Sequence, residues 1–278
     1  MAASTSDLYD RVWRFTVGTV QTDRLRCVAK VEKTLDNKPN TAEVQIYNLH
    51  REHLDNIAKA GEVPVKIEAG YGKTLSTLYL GTLRNATVIR DSGSPDVYVK
   101  LETGDGQTNV ERSFVSKTIA PKSTPDSVLR ELALALGVKP GNLDKAKAAI
   151  KTQVGGDLFP TGGVLWGSAA DEMTRICRSV GLLWTIHNGV LQFTPIDKAL
   201  EGTALKIDGQ HGMVKTPPSI DNKGVLTFST LLIPDLYPGR KIVMNAAYVK
   251  GQWRVEKCSY DLDTHGEAWF IDCTAKRY

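Results

Sequence analysis

The sequence predicts a mainly β protein of the α+β class, two antiparallel β domains, each a sheet or barrel, flanking a small α+β module. Three observations predict it. Apolar residues alternate with period two from Val12 to Thr103 and again from Ala204 onward; the stretch between them switches to helical spacing; and turn and core residues of the first β stretch recur in order in the second. The expected domains are residues 1–105, 106–203 and 204–278.

In the first stretch Leu25, Cys27, Ala29 and Val31 alternate with Arg26, Lys30 and Glu32, and Val44 and Ile46 alternate with Glu43, Gln45 and Tyr47. Val63, Val65, Ile67 and Ala69 do the same against Pro64, Lys66 and Glu68. Each reads as a strand with one wet face, and together as an antiparallel sheet or barrel. Arg51 to Ala60, followed by Gly61, reads as a short helix with a glycine stop.

In the middle, Thr124 can cap a helix with Pro125 at its first position; Val128, Leu129, Leu132, Ala133 and Leu136 form its apolar stripe and Gly137 ends it. A second helix starts at Ser168, carries Met173, Ile176, Cys177 and Val180, and stops at Gly181. Leu182–Ile186 and Val190–Phe193 then flank His187-Asn188-Gly189, whose Asn-Gly pair favours a type I′ hairpin. The last stretch predicts strands at Val225–Leu232, Lys241–Val249, Trp253–Cys258 and Ala268–Thr274, with turns at Pro234, Pro238-Gly239 and Lys250-Gly251. Glu43–Leu49 lines up with Val225–Leu231, Gly81–Arg84 with Gly251–Arg254, and Val97–Val99 with Ala268–Phe270, which argues for two related β domains; the competing reading is two unrelated sheets.

With 278 residues, 41% hydrophobic and 24% charged, the chain has the composition of a soluble globular protein and not of a disordered or fibrous one. Its net charge of +4 is spread without a block of like charges. The densest basic cluster, Lys145, Lys147 and Lys151, reads as a solvated helix face, so no nucleic-acid footprint follows. Met1–Asp7 lacks a basic and then apolar leader pattern, and no window holds the run of roughly 18 or more apolar residues that spans a bilayer. The expectation is a protein made in the cytoplasm that stays soluble. Cys27, Cys177, Cys258 and Cys273 contain no Cys-x-x-Cys pair and read as reduced core thiols.

Motifs that carry chemistry are weak. Gly70-Tyr-Gly72-Lys73-Thr74 holds the end of a phosphate-loop pattern, yet its first glycine would fall at Ile67 and a strand follows, so a hairpin turn is expected. His50, Glu52 and His53 lack either zinc-helix spacing. Asp261, Asp263 and His265 sit between two strands, where short polar side chains satisfy turn amides or carboxylates hold a cation; the turn reading is preferred. Ser168 lies outside any nucleophile elbow and reads as a helix cap. No catalytic, cofactor-binding or metal residues are assigned.

Taken in order, Val44-Gln-Ile-Tyr-Asn-Leu49, Glu68-Ala-Gly-Tyr71, Leu78-Tyr-Leu-Gly81, Gly104-Asp-Gly106, Gly181–Gly189, Thr216-Pro217, Lys223-Gly224, Leu231–Arg240 and Asp263-Thr-His-Gly266 resemble the baseplate hub proteins of contractile-tailed phages over nearly the whole chain. The sequence departs from that pattern at Lys257–Leu262, where such hubs often carry a His-Ser-Gly-Asp stretch, which leaves that turn's contacts open.

The resemblance implies a structural, non-enzymatic homotrimer in the virion baseplate, assembled in the host cytoplasm, each subunit giving two tube-like barrels so that six barrels face a sixfold tube and three subunits a threefold spike. The implied partners are the tail spike protein, the tail tube or tube-initiator protein and the tape measure protein. Genome DNA would pass through the lumen without specific binding, and no membrane insertion is implied. The wall is expected from Val63–Tyr71, Leu78–Val88, Lys241–Val249 and Trp253–Cys258, held by edge-strand pairing, with Trp253 and Trp269 in the core. The nearest alternative is the hub of a contractile injection machine, a phage-tail bacteriocin or type VI secretion spike. A tail-associated cell-wall hydrolase acting through Asp261, Asp263 or Glu267, and a single-strand-binding barrel, have no motif behind them.

Overall fold

The computed structural model describes residues 8–90, 93, 95–155 and 159–278; Met1–Asp7, on which the expectation about a leader rests, lies outside them. In chain order, strands β1 (Arg11–Val17), β2 (Val20–Thr22), β3 (Cys27–Thr34) and β4 (Asn40–Tyr47) precede helix α1 (Arg51–Lys59), followed by β5 (Pro64–Tyr71), β6 (Thr74–Arg90) and β7 (Val97–Asp105). Then come α2 (Gln107–Arg112), β8 (Phe114–Ile119), α3 (Pro125–Ala135), β9 (Lys139–Pro140), α4 (Leu143–Val154), β10 (Gly163–Ser168), α5 (Ala169–Ser179), β11 (Leu182–His187) and β12 (Val190–Pro195). The chain closes with β13 (Leu205–Ile207), β14 (Met213–Ile220), β15 (Val225–Leu231), β16 (Lys241–Asn245), β17 (Lys250–Asp263) and β18 (Trp269–Lys276). The fold is mainly β, as the periodicity predicts. Among the described residues no helix is long and apolar enough to cross a membrane.

Two compact units form, one from the residues up to Lys33 with Thr41–Asp105 and Glu201–Tyr278, the other from Thr34–Asn40 and Gly106–Leu200. In the first, thirteen described strands make one sheet ordered β14-β15-β18-β17-β3-β4-β7-β6-β5-β1-β2, with β16 on β17 and β13 on β16. The strands alternate because one face packs inward: Cys27, Ala29 and Val31 of β3 are buried while Lys30 is exposed. Trp253, Trp269, Tyr79, Tyr260 and Phe15 are the largest buried side chains of this core, each contributing about 2–3 kcal/mol by burial.

The sheet contains the same pattern twice. The first half reads β3-β4-β7-β6-β5-β1 and the second β14-β15-β18-β17-β16-β13. The likeness extends to register: the pairs of the β6–β7 ladder from Thr82↔Gly104 to Arg90↔Val97 become, with a shift of 172 residues, Arg254↔Lys276 to Leu262↔Trp269 of the β17–β18 ladder. The bulges match as well, between Leu83 and Asn85 and between Val255 and Lys257. On the next strand Asn48 N donates to Val97 O at 2.8 Å and Leu232 N to Trp269 O at 3.0 Å, which sets β4 and β15 in correspondence with a shift of 184. The halves differ where α1 stands between β4 and β5 without a counterpart, and where β13 pairs parallel to β16 although β1 pairs antiparallel to β5.

Some expected boundaries move. Lys250 and Gly251 open β17 instead of forming a turn, because they complete the ladder with Asn245 and Met244; β16 in turn ends at Asn245. The sequence alignment of the halves is one or two residues out of step with the observed shifts, since alternation repeats every second residue and cannot by itself fix register; the bulge does.

The second unit holds the helices as expected. Thr124 Oγ1 accepts from Ser127 N at 3.3 Å, Pro125 is the first helical residue of α3, and Ser168 Oγ accepts from Asp171 N at 3.2 Å to cap α5. The β11–β12 hairpin turns on Asn188 and Gly189, both at positive φ, as a type I′ turn requires. Leu129 and Leu132 of α3, Ile150 of α4, Met173 of α5 and Phe193 of β12 are buried in its core. Asn142, at the start of α4, exchanges two 2.7 Å hydrogen bonds with the Phe193 backbone. The basic cluster is a helix face: Lys147 of α4 reaches Asp126 at 3.0 Å.

Candidate assembly surface

The seam between the two halves of the sheet is built by β3 and the C-terminal part of β17. Thr264 N donates to Cys27 O at 3.0 Å and Cys27 N to Thr264 Oγ1 at 2.9 Å, while five residues further along β3 Ser259 Oγ donates to Glu32 Oε1 at 2.7 Å. The strands therefore run antiparallel, with Val31 opposite Tyr260. Lys257 Nζ lies 2.5 Å from the other oxygen of Glu32. Burial pushes the Glu32 carboxyl up, but the hydrogen bonds from Lys257 and Ser259 outweigh it and hold the group below the ordinary range. A charge-assisted network thus spans the seam.

The residues flagged from sequence are mostly committed to turns and caps. Asp263 accepts from the N–H groups of His265 at 3.0 Å and Gly266 at 2.9 Å, and pairs with Arg26, so its oxygens serve the turn after β17. Asp261 lies in β17 opposite Phe270, and the His265 ring meets Trp13 edge-on. No group of three or more His, Cys, Asp or Glu that could hold a metal occurs among the described residues. Gly72 and Lys73 are the tip of the β5–β6 hairpin, closed by Tyr71 opposite Thr74, with no helix following. His50 stands at the N-terminus of α1, its ring 6.2 Å from that of His53. Trp253 and Trp269 are core residues. Ala58, Glu62, Arg84 and Asn85 line a shallow depression beside the β6 bulge.

The sequence reading missed an apolar strip in the second unit. On the antiparallel β8–β10 ribbon Phe114, Val164 and Trp166 are all exposed, the Phe114 and Trp166 rings packing edge to face with centroids 5.3 Å apart. The signal in the sequence was the apolar run Val164-Leu165-Trp166, but such a run cannot say which face meets water: Leu165 is buried while Val164 and Trp166 are exposed. Exposed aromatic strips of this kind mark surfaces that associate.

Solved structures that share this fold include phage tail proteins. The chain superposes on the 43 kDa tail protein of prophage MuSo2 from Shewanella oneidensis with a TM-score of 0.67 at 8% identity, covering 96% of this chain and 98% of that one. It superposes on a tail protein from Neisseria meningitidis with a TM-score of 0.66 at 10% identity, covering 97% of each. An E. coli protein described as a component of the type VI secretion system gives 0.60 at 10% identity, over 95% of this chain and 76% of that one. No curated protein matches by sequence. At 10% identity or below, these likenesses show that the chain has the fold of phage tail proteins.

The family model for baseplate hub gp41 matches residues 14–275, nearly the whole chain. The protein belongs to that family and is a component of the phage tail baseplate.

Proposed function

We propose that three copies of the chain close into a ring at the tip of a contractile tail tube, each supplying its two sheet halves as tube-like domains, so that six similar units meet the sixfold tube and three subunits meet the spike. The repetition of the β6–β7 ladder, bulge included, in β17–β18 carries this reading: a doubled module is what lets a threefold assembly present sixfold geometry. In this reading the domains are residues 1–105, 106–203 and 204–278, and the wall strands are β5, β6, β16 and β17. Tape measure protein and DNA would occupy the lumen. The role is architectural, with the seam network and not a catalytic group as the working chemistry.

The test is electron microscopy of the purified chain mixed with its tail-tip neighbours. Class averages with a central hole, threefold symmetry and six peripheral lobes are expected; a compact monomer that joins none of the tail proteins overturns the reading.

A further inference from the structure

The internal repeat leaves two strand edges unequal to their counterparts. In the second half β17 pairs with β16 through Lys250–Arg254, with β18 through Arg254–Leu262, and with β3 along the remaining edge of its C-terminal part. In the first half β6 pairs with β5 through Thr74–Thr82 and with β7 through Thr82–Arg90, but among the described residues no strand takes the remaining edge of Asn85–Arg90. The counterpart of β3 is β14, which among the described residues ends the sheet and pairs with β15 alone. One chain therefore holds one satisfied seam and the two separate halves of a second.

We infer that the end of β14, Ser219–Ile220 and the following Asp221, of one copy adds to the free edge of β6 in the next copy, reproducing between subunits the Val31–Glu32 end of the β3–β17 seam found within the chain; Pro217 and Pro218, where the β14 register shifts, have no N–H to donate and keep the rest of β14 out of the joint. The correspondences fix the contacts. Val31 pairs with Ala42, whose counterpart Leu226 pairs with Ile220; Tyr260, moved back by 172, is Val88. Since Val31 lies opposite Tyr260, Ile220 of one copy lies opposite Val88 of the next. These two apolar side chains are 45% and 47% exposed, whereas Val31 and Tyr260 are 0% and 1% exposed. The polar contact has its counterpart too: Asp221, opposite Val225, stands in the place of Glu32 and Thr87 in that of Ser259; Asp221 Oδ1 accepts from the N–H groups of Lys223 and Val225, so the Thr87 hydroxyl donates to its other oxygen as Ser259 does to Glu32. Pairing a flat exposed edge also removes a site of uncontrolled aggregation. The occupant is a second copy of this chain because the template for the joint is the chain's own seam. The two edges are different surfaces, so the contact is head-to-tail and closes only as a ring.

The inference rests on the ring proposed above, and its test separates the two. The full chain carrying Val88→Cys and Ile220→Cys is oxidised, alone at high concentration and co-expressed with the tail proteins encoded beside it, then run without reductant. Loss of the monomer band in favour of covalent dimer and trimer, absent in either single variant, is expected. A charge exchange checks it independently: Val88→Lys is expected to abolish ring formation while leaving the melting temperature unchanged, and Val88→Lys with Ile220→Asp to restore it. Rings that form without this cross-link and tolerate Val88→Lys overturn the strand pairing but leave the hub reading standing. A folded wild-type chain that forms no ring under either condition overturns both.

Discussion

Arg26 Nη2 lies 2.7 Å from Asp263 Oδ2, tying the start of β3 to the turn after β17 where the two halves of the sheet meet. Burial pushes the Asp263 carboxyl up, but the hydrogen bonds from Arg26 and the amides of His265 and Gly266 outweigh it and hold the group below the ordinary value near 4.

Asp263→Asn is therefore expected to cost about 1–2 kcal/mol at neutral pH, Arg26 being too exposed for more. A depressed carboxylate contributes stability above its unfolded pKa and loses it as pH falls through the folded one. Melting temperatures from pH 7 to 3 should drop less steeply in the variant. A parallel acid limb would show that the pair contributes nothing.

Lys33 is 4% exposed and faces the Tyr260 ring, its Nζ 5.9 Å from the centroid. Burial lowers its ammonium pKa to about 8 from the ordinary 10.5, with Asp105 opposing the shift. Below pH 8 the folded state carries the full penalty of a buried charge, about 3 kcal/mol, and it is relieved as pH rises from 8 toward 10.5. Denaturant midpoints should rise over that interval, and Lys33→Met should remove the rise. An unchanged slope in the variant would assign it to another group.

Two tryptophans separate core from surface. Trp269 is 1% exposed, and Trp269→Ala is expected to cost about 3–5 kcal/mol. Trp166 is 67% exposed with Phe114 as its ring partner, and Trp166→Ala should cost under about 1 kcal/mol while reducing binding of an apolar dye. Equal losses in urea melts would contradict this division.

All four cysteines are buried free thiols, with Cys258 and Cys273 sulfur atoms 3.6 Å apart. Burial pushes the Cys27 thiol up to about 12, and raises Cys177 and Cys273 as well. A thiol reagent at pH 8 should react negligibly with the native chain and stoichiometrically with all four groups in denaturant. Fast reaction of the native protein would place a thiol at the surface.

Local chemistry was legible wherever a side chain acts on its own neighbourhood. The Thr124 cap, the Asn188-Gly189 turn and the Gly72-Lys73 hairpin tip need no distant partner, and each is where the residues put it. Helix α2 and the β8–β10 ribbon were not read, because a six-residue helix without a buried side chain and a two-stranded ribbon owe their existence to what packs around them. The seam was equally hidden: Cys27 and Thr264 are 237 positions apart, and no periodicity links them.

Alternation, turn residues and family motifs determined by themselves that this is a mainly β hub protein with a helical insert and a repeated β pattern. Tertiary structure decided the register of the repeat, through two matching bulges, and decided which strand edges are filled. A period of two is unchanged by a slip of two residues and silent about partners, so only hydrogen-bonded neighbours distinguish the sealed edge at Tyr260 from the open one at Val88.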